Sequence, residues 1–292
     1  MHEDAPTGDA QAGNVQTGDP LTDPFADAGP RWMEGRTALV AGGGQTGDLP
    51  GVGYATCMLL AAHGARVAVL DRDAAAAGRT VERIAKAGGE AIAVVADITS
   101  DDACADAVAE VMARFGGLDA LVNSVAAGDR AGVFEVTPER FDQLMDINLK
   151  SAWQLTRHAV PALPSGSSIV TISSVGAKYR GPGMVYCIAK SGLENFTEGA
   201  ATTLGPQGIR VNCVQVGAIW GAFAAKGMPD EMRAPRREAT SLKSEGTAWD
   251  IAHASLFLLS DRARWISGEI LAVEGGPPHR YPAAPPITSV PR

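Results

Sequence analysis

The sequence predicts a doubly wound α/β fold with a central, mostly parallel seven-stranded sheet flanked by helices. Three observations carry this. Short β-branched runs alternate with helix-length segments, the central runs are apolar on both faces, and a dense glycine turn follows the first of them. Runs apolar on both faces mark a parallel sheet covered on each side, and repeated strand–helix alternation implies double winding. In order, the strands are expected at "TALVA" (37–41), "RVAVLD" (66–71), "AIAVVAD" (91–97), "LDALVN" (118–123), "SIVTIS" (168–173), "IRVNCVQ" (209–215) and "EILAV" (269–273). The segment "GYATCMLLAAHG", beginning at Gly53, is the first helix.

The chain has 292 residues and a net charge of −8, carried mostly at one end. Residues 1–30 hold Glu3, Asp4, Asp9, Asp19, Asp23 and Asp27 without a Lys or Arg, so the rest is close to neutral. A near-neutral body with no basic patch argues against nucleic acid as a partner. Residues 1–33 contain almost no large apolar side chains and read as a disordered acidic tail. Residues 34–276 form one domain, and 277–292 are a proline-rich C-terminal extension. The four cysteines stand apart with no C-x-x-C, which fits a reducing compartment and supplies no metal ligand set. No apolar run reaches the ~18 residues of a membrane span, and no secretory signal is visible, so a cytoplasmic location is expected.

The glycine turn is "VAGGGQTGDLPGVGYA" (40–55). A dinucleotide site needs a strand, a tight turn and a helix whose first amides face the pyrophosphate. Thr46-Gly47-x-x-x-Gly51-x-Gly53 has the spacing of such a motif, but Gly42 is the glycine that directly follows the strand. Between Gly42 and Gly51 lie eight residues, against three in T-G-x-x-x-G-x-G. The reading preferred is an insertion of about five residues, with Gly51, Val52 and Gly53 keeping their place at the helix start. Taken alone, the glycines are also consistent with a flexible connector, the lesser reading. Asp71 ends the next strand, twenty residues after Gly51. A carboxylate there accepts bonds from an adenosine ribose and repels a 2′-phosphate, favouring NAD over NADP. A surface Asp that caps its own loop would look the same.

Tyr186 and Lys190 are four residues apart in "MVYCIAKSGLENFT" and share a helix face. A neighbouring ammonium favours the phenolate and lowers the tyrosine pKa from ~10. "ISS" ends a strand just upstream, and "DINLKSAW" supplies Asn148.

From residue 34 to 276 the chain resembles the short-chain dehydrogenase/reductase family, with its Rossmann fold. "EGRTALVAGG", "LDRD", "VVADITS", "LVNSVAA", "INLKS", "IVTISSVG", "YCIAK", "GIRVNCVQVGAI" and "SGEILAVEGG" fall in that family's order. The resemblance implies that Tyr186 is the catalytic acid/base and that Lys190 lowers its pKa and holds the nicotinamide ribose. It gives Asn148 to a water-linked proton relay and makes Ser174 the catalytic serine. Ser174 lies twelve residues before Tyr186, one short of the family's usual spacing, which Ser173 fits by count. Ser174 is preferred on the assumption that one residue is missing in "RGPGMVY". Asp97 and Ile98 match an adenine-contacting pair, and Asn123 matches a residue beside the cofactor that stabilises the sheet. Ile219 matches one whose backbone meets the carboxamide, and Gly217 precedes it in the same loop. The chain departs from the family at Ala41, in "NSVA", at Val216 and at Gly221.

The implied activity is hydride transfer between NAD(H) and a secondary alcohol or ketone. Alternatives are a non-redox, epimerase-like outcome or a cofactor-binding sensor. Selectivity is placed after Ile219, where Trp220, Phe223, Met228 and Met232 offer an apolar lining. Arg233, Arg236, Arg237 and Lys243 either attract an acidic substrate or face solvent, the second being preferred. The family commonly forms dimers or tetramers through the helices bearing Asn148 and Tyr186, and a homotetramer is expected here.

Overall fold

The structure is a computed structural model and describes residues 31–129, 131–178 and 183–276. The sheet is formed by β1 (Thr37–Ala41), β2 (Arg66–Asp71), β3 (Glu90–Val95), β4 (Ala120–Asn123), β5 (Ser168–Ser174), β6 (Arg210–Val216) and the last strand, β9 (Ile270–Val273). Its order is β3-β2-β1-β4-β5-β6-β9, and every pairing is parallel. Helices α1 (Val52–Ala62), α2 (Ala74–Lys86), α3 (Asp101–Phe115), α4 (Pro138–Met145), α5 (Ser151–Ala159), α6 (Met184–Leu204) and α9 (Ala248–Leu259) connect the strands. Between β6 and α9 lie β7 (Ile219–Trp220), α7 (Ala222–Gly227), α8 (Arg233–Ala239) and β8 (Gly246–Thr247). The small parallel pair of β7 with β8 was not foreshadowed by the sequence pattern.

Each strand divides its apolar residues between two layers, as a period of two requires. Val40, Val67, Val69, Val122, Val170 and Val214 pack with α1 and α9, while Leu39, Leu70, Leu121, Ile169 and Val211 pack with α3, α5 and α6. Burying both faces explains why these runs are apolar throughout.

Two boundaries differ from the sequence reading. The folded body begins before residue 34. Met33 is buried in the core, its amide donates to His63 O, and Trp32 packs beside it. The rest of the acidic tail and the extension at 277–292 lie outside the described residues. Strand β3 ends at Val95, so Asp97 and Ile98 belong to the loop that follows it. No described helix is long and apolar enough to cross a membrane, and no described cluster of His, Cys, Asp and Glu could hold a metal ion. All four cysteines are buried, and none of them forms a disulfide.

Candidate active site

The chain reverses direction across the sheet between β1 and β4, and a doubly wound fold opens its crevice at the carboxyl ends of those strands. Gly42 leaves β1 with a φ of 77° and donates its amide to Leu70 O at 2.8 Å. Gly53 lies directly beneath, where a Cβ would stand 2.1 Å from Gly42 O. The first turn of α1 therefore lies against the end of β1, which only glycine permits. Gly51 is the N-cap of α1 and has no side chain to occupy the helix's first amides, and no acid lies in the first turn. Those open donors suit a pyrophosphate.

The five or so extra residues fold back on α2. The Gln45 amide N donates to Ala76 O at 3.1 Å, and Arg79 Nε donates to Gln45 O at 2.7 Å. The Gln45 side chain donates to Gly47 O and Leu49 O, so the loop closes on itself. Thr46, Gly47 and Asp48 are exposed. Thr46-Gly47, the apparent start of the spaced motif, thus sits on the outside of a loop, and Gly42 makes the turn. At the far end, Pro50 O accepts from Ala222 N at 3.2 Å, joining the enlarged turn to α7.

Asp71 Oδ2 accepts from Gly44 N at 3.0 Å and Oδ1 from Asp73 N at 3.1 Å. These bonds fix the carboxylate at the end of β2 and leave each oxygen a free lone pair. Asp97 is exposed, and its Oδ1 accepts from Thr99 N and Oγ1, which holds the carboxyl below its usual range. Ile98 is buried in the core, so only its backbone is available to a ligand. Asn123 donates to Thr156 Oγ1 at 3.2 Å and leaves its buried Oδ1 without a partner. Gly217 packs so closely on β9's end that a Cβ would lie 2.3 Å from Glu274 Cα. Both main-chain polar groups of Ile219 are engaged, N–H to Gly217 O and C=O by Arg236. A carboxamide contact there has to compete with those bonds.

The two serines that end β5 both bond to α6. Ser173 is buried, and its Oγ donates to Glu194 Oε1 at 2.8 Å. Ser174 hydrogen-bonds the Tyr186 hydroxyl and accepts from Gly176 N at 3.1 Å. The stretch "RGPGMVY", where a missing residue was assumed, is described only from Gly183. Lys190 is 2 % exposed, its Nζ donates to Ile172 O at 2.8 Å, and it stands 5.8 Å from the Tyr186 ring centroid. Burial pushes the ammonium down to about 8. Burial also raises the Tyr186 hydroxyl, opposed by its bond to Ser174. The net direction for Tyr186 is upward, because desolvation of the phenolate outweighs the bond from Ser174.

Asn148 lies in a π-helical turn, Asp146–Lys150, between α4 and α5. Its Nδ2 donates to Ala127 O at 3.0 Å and Leu144 O at 2.9 Å, and its Oδ1 accepts from Ala127 N at 3.1 Å. Both amide protons are thereby used, and the side chain clamps the loop after β4. Phe223 of α7 stacks on Tyr186 with centroids 6.1 Å apart and an interplanar angle of 26°. The sequence placed Phe223 in an apolar lining without identifying its partner. The lid cations have protein partners: Arg233 with Glu245 at 2.7 Å and over Trp220, Arg236 with Ile219 O, Arg237 near Glu238, and Lys243 on Glu238 O.

An anion cradle at the switch point of a parallel sheet, with Ser174, Tyr186 and Lys190 on the next strand–helix unit, defines a Rossmann-type oxidoreductase. A family model described as enoyl-(acyl carrier protein) reductase matches residues 47–277. Momilactone A synthase of Oryza sativa subsp. japonica is 37% identical over 263 residues, covering 86% of this chain and 92% of the relative. A dehydrogenase/reductase from Sinorhizobium meliloti superposes with a TM-score of 0.78 at 33% identity, covering 83% of this chain and 95% of its own. 7α-Hydroxysteroid dehydrogenase, solved with NADH and 7-oxo glycochenodeoxycholic acid, gives 0.78 at 30% identity, covering 85% and 96%; the curated 31% identical relative of that name is from Escherichia coli. A blue fluorescent protein from a metagenomic library, solved with NADPH, gives 0.77 at 30% identity, covering 84% and 98%. The chain belongs to the short-chain dehydrogenase/reductase family. The family binds nicotinamide cofactors, with NADH and NADPH both present among these neighbours.

Proposed function

We propose that this protein interconverts a secondary alcohol and a ketone with NAD(H), Tyr186 acting as general acid/base. The observation that carries the reading is the placing of Ser174 on the Tyr186 hydroxyl with the Lys190 ammonium 5.8 Å from the ring centroid. The amides of Gly51–Gly53 would hold the pyrophosphate, with Gly42 making the turn beside them, Asp71 the adenosine ribose, and Lys190 the nicotinamide ribose. Asp97, Ile98, Asn123, Gly217 and Ile219 line the remainder. Asp71, held in place by two backbone amides, disfavours a 2′-phosphate and supports NAD over NADP.

A bound nicotinamide would supply the hydride acceptor or donor and, when oxidised, a positive charge. The chain's own residues handle the proton. Ser174 and Tyr186 hold the substrate oxygen between two hydroxyls. In oxidation the tyrosinate takes the alcohol proton, and in reduction the tyrosine returns it. Burial favours the neutral phenol, so Lys190 has to be charged for the tyrosinate to form. Asn148 keeps the loop after β4 in position from behind. Phe223 shields Tyr186 from water and gives the substrate side an apolar wall, and Arg233, Arg236, Arg237 and Lys243 are engaged by protein partners. An apolar, uncharged ketone fits that lining.

The test is NADH oxidation against a panel of aliphatic, cyclic and steroid ketones, with NADPH run in parallel. Turnover is expected with NADH preferred. Tyr186→Phe should lower kcat by ~10²–10⁴-fold while NADH binding stays within about twofold of wild type. Binding without turnover in the wild-type protein would point instead to a sensor. A homotetramer is inferred from exposed Trp153 on α5 and Ile188 on α6, each 44% accessible. Light scattering at micromolar concentration checks it.

A further inference from the structure

Behind the proposed catalytic lysine lies a carboxylate that the function above does not use. Glu194 follows Lys190 by one turn of α6 and faces the same pair of strands. Its Oε1 accepts from Ser173 Oγ at 2.8 Å and Gln215 Nε2 at 2.6 Å. Ser173 and Gln215 are register partners across β5 and β6, and both are buried. Two neighbouring strands thus aim donors at one carboxylate. Such bonds fix its place.

We propose that Glu194 is a positioning residue for proton transfer, the anion that keeps Lys190 charged beneath Tyr186. The proposal rests on the reading of Tyr186 and Lys190 given above. The titratable groups facing Lys190 are Tyr186 and Glu194 on its own helix and Cys213 on β6; β5 contributes neutral Ser173 and the Ile172 carbonyl. Burial pushes the Cys213 thiol up to about 11, so it is neutral while Lys190 titrates. Glu194 is then the anion on this side among the described residues. It opposes the burial that drives the lysine toward its neutral form.

Removing the charge of Glu194 should make Lys190 lose its proton at lower pH. Glu194→Gln keeps an acceptor for Ser173 and serves as the test, read in two ways: kcat/KM for alcohol oxidation against pH, and NADH affinity against pH by nucleotide fluorescence. In both, the alkaline limb is expected to move down by about one pH unit, the low end of the effect of one nearby charge. Ser173→Ala keeps the charge and loses one hydrogen bond, so its limb should stay with the wild type. An unshifted limb in Glu194→Gln overturns the proposal, as does an equal shift in Ser173→Ala, which would mark a packing role. Glu194→Ala gives the same reading should the glutamine variant not fold. A wild-type protein that neither binds NADH nor reduces a ketone defeats the underlying function. A competent wild type with an unshifted variant defeats only the role of Glu194.

Discussion

Two strand-to-helix passages flank the crevice, and they are built on opposite means. From β1 to α1 the fit depends on atoms that are missing: a Cβ on Gly53 would lie 2.1 Å from Gly42 O, and one on Gly43 would lie 2.8 Å from Cys57 Sγ. From β5 to α6 it depends on side chains that are present. Consecutive residues Ser173 and Ser174 bond to α6 two turns apart, one to Glu194 and the other to Tyr186. A site made of side chains on a helix announces itself by spacing, because residues four apart must share a face. A site made of absences does not, because any glycine in the stretch could be the one required.

Gly53→Ala strikes the first passage at its tightest point and carries the largest expected effect. The intruding carbon meets backbone, which cannot rotate away, so α1 has to shift off β1. Overpacking of this kind costs typically 1–3 kcal/mol and occasionally more, and a contact this short belongs at the top of that range. A loss of about 3 kcal/mol lowers Tm by roughly 6–12 °C in a chain of this size. Calorimetry checks it, and a variant melting within 2 °C of wild type, by the same scaling under about 1 kcal/mol, would show the turn to be looser than described.

The second passage carries a different cost, a buried charge. Lys190 titrates near 8 in the folded protein against 10.5 in the open chain. At pH 7 the folded state therefore bears the cost of holding an ammonium away from water. Between pH 8 and 10.5 the unfolded chain binds the extra proton, so this group makes stability rise with pH across that window. Lys190→Met should be more stable than wild type at pH 7 by up to about 3 kcal/mol, the value of the shift. Its lead should shrink as pH climbs from 8 toward 10.5. Tyr186 and Cys213 titrate in both proteins and largely cancel in the difference. Urea unfolding at pH 7 and pH 10 decides; a constant gap would mean that Lys190 is not buried as an ammonium.

What the sequence made legible follows the same division. The seven strands were readable because burial on both faces leaves continuous apolar runs, and Tyr186 with Lys190 because helix geometry links them. Three features were not readable for reasons that can be named. The π-helical turn at Asp146–Lys150 leaves no mark on hydrophobic periodicity, and it is what aims Asn148 at the Ala127 backbone. The partners of Arg233 and Arg236 lie across the lid at Glu245 and Ile219, a long-range pairing that local charge counting cannot see. Glu194 carries no local signal, because its partners Ser173 and Gln215 come from β5 and β6, distant in the chain.

Gly47→Ala is the smallest perturbation, and it bears most directly on which glycine matters. The family model's match begins at residue 47, as a motif starting at Thr46-Gly47 would require. Yet Gly47 is exposed, its φ is not positive, and a Cβ there would meet nothing within 4 Å. A surface substitution of this kind lies within about 0.5 kcal/mol of neutral. NADH affinity should change by less than about twofold, under 0.5 kcal/mol of binding energy. A tenfold loss of affinity without loss of stability would move the pyrophosphate out to the loop at 45–49, and Gly42 would become a turn residue that no ligand touches. Retained affinity would leave the extra residues as a brace between α2, through Gln45 and Ala76, and α7, through Pro50 and Ala222. The phosphate cradle itself would then be the same minimal one that Gly42, Gly51 and Gly53 form without them.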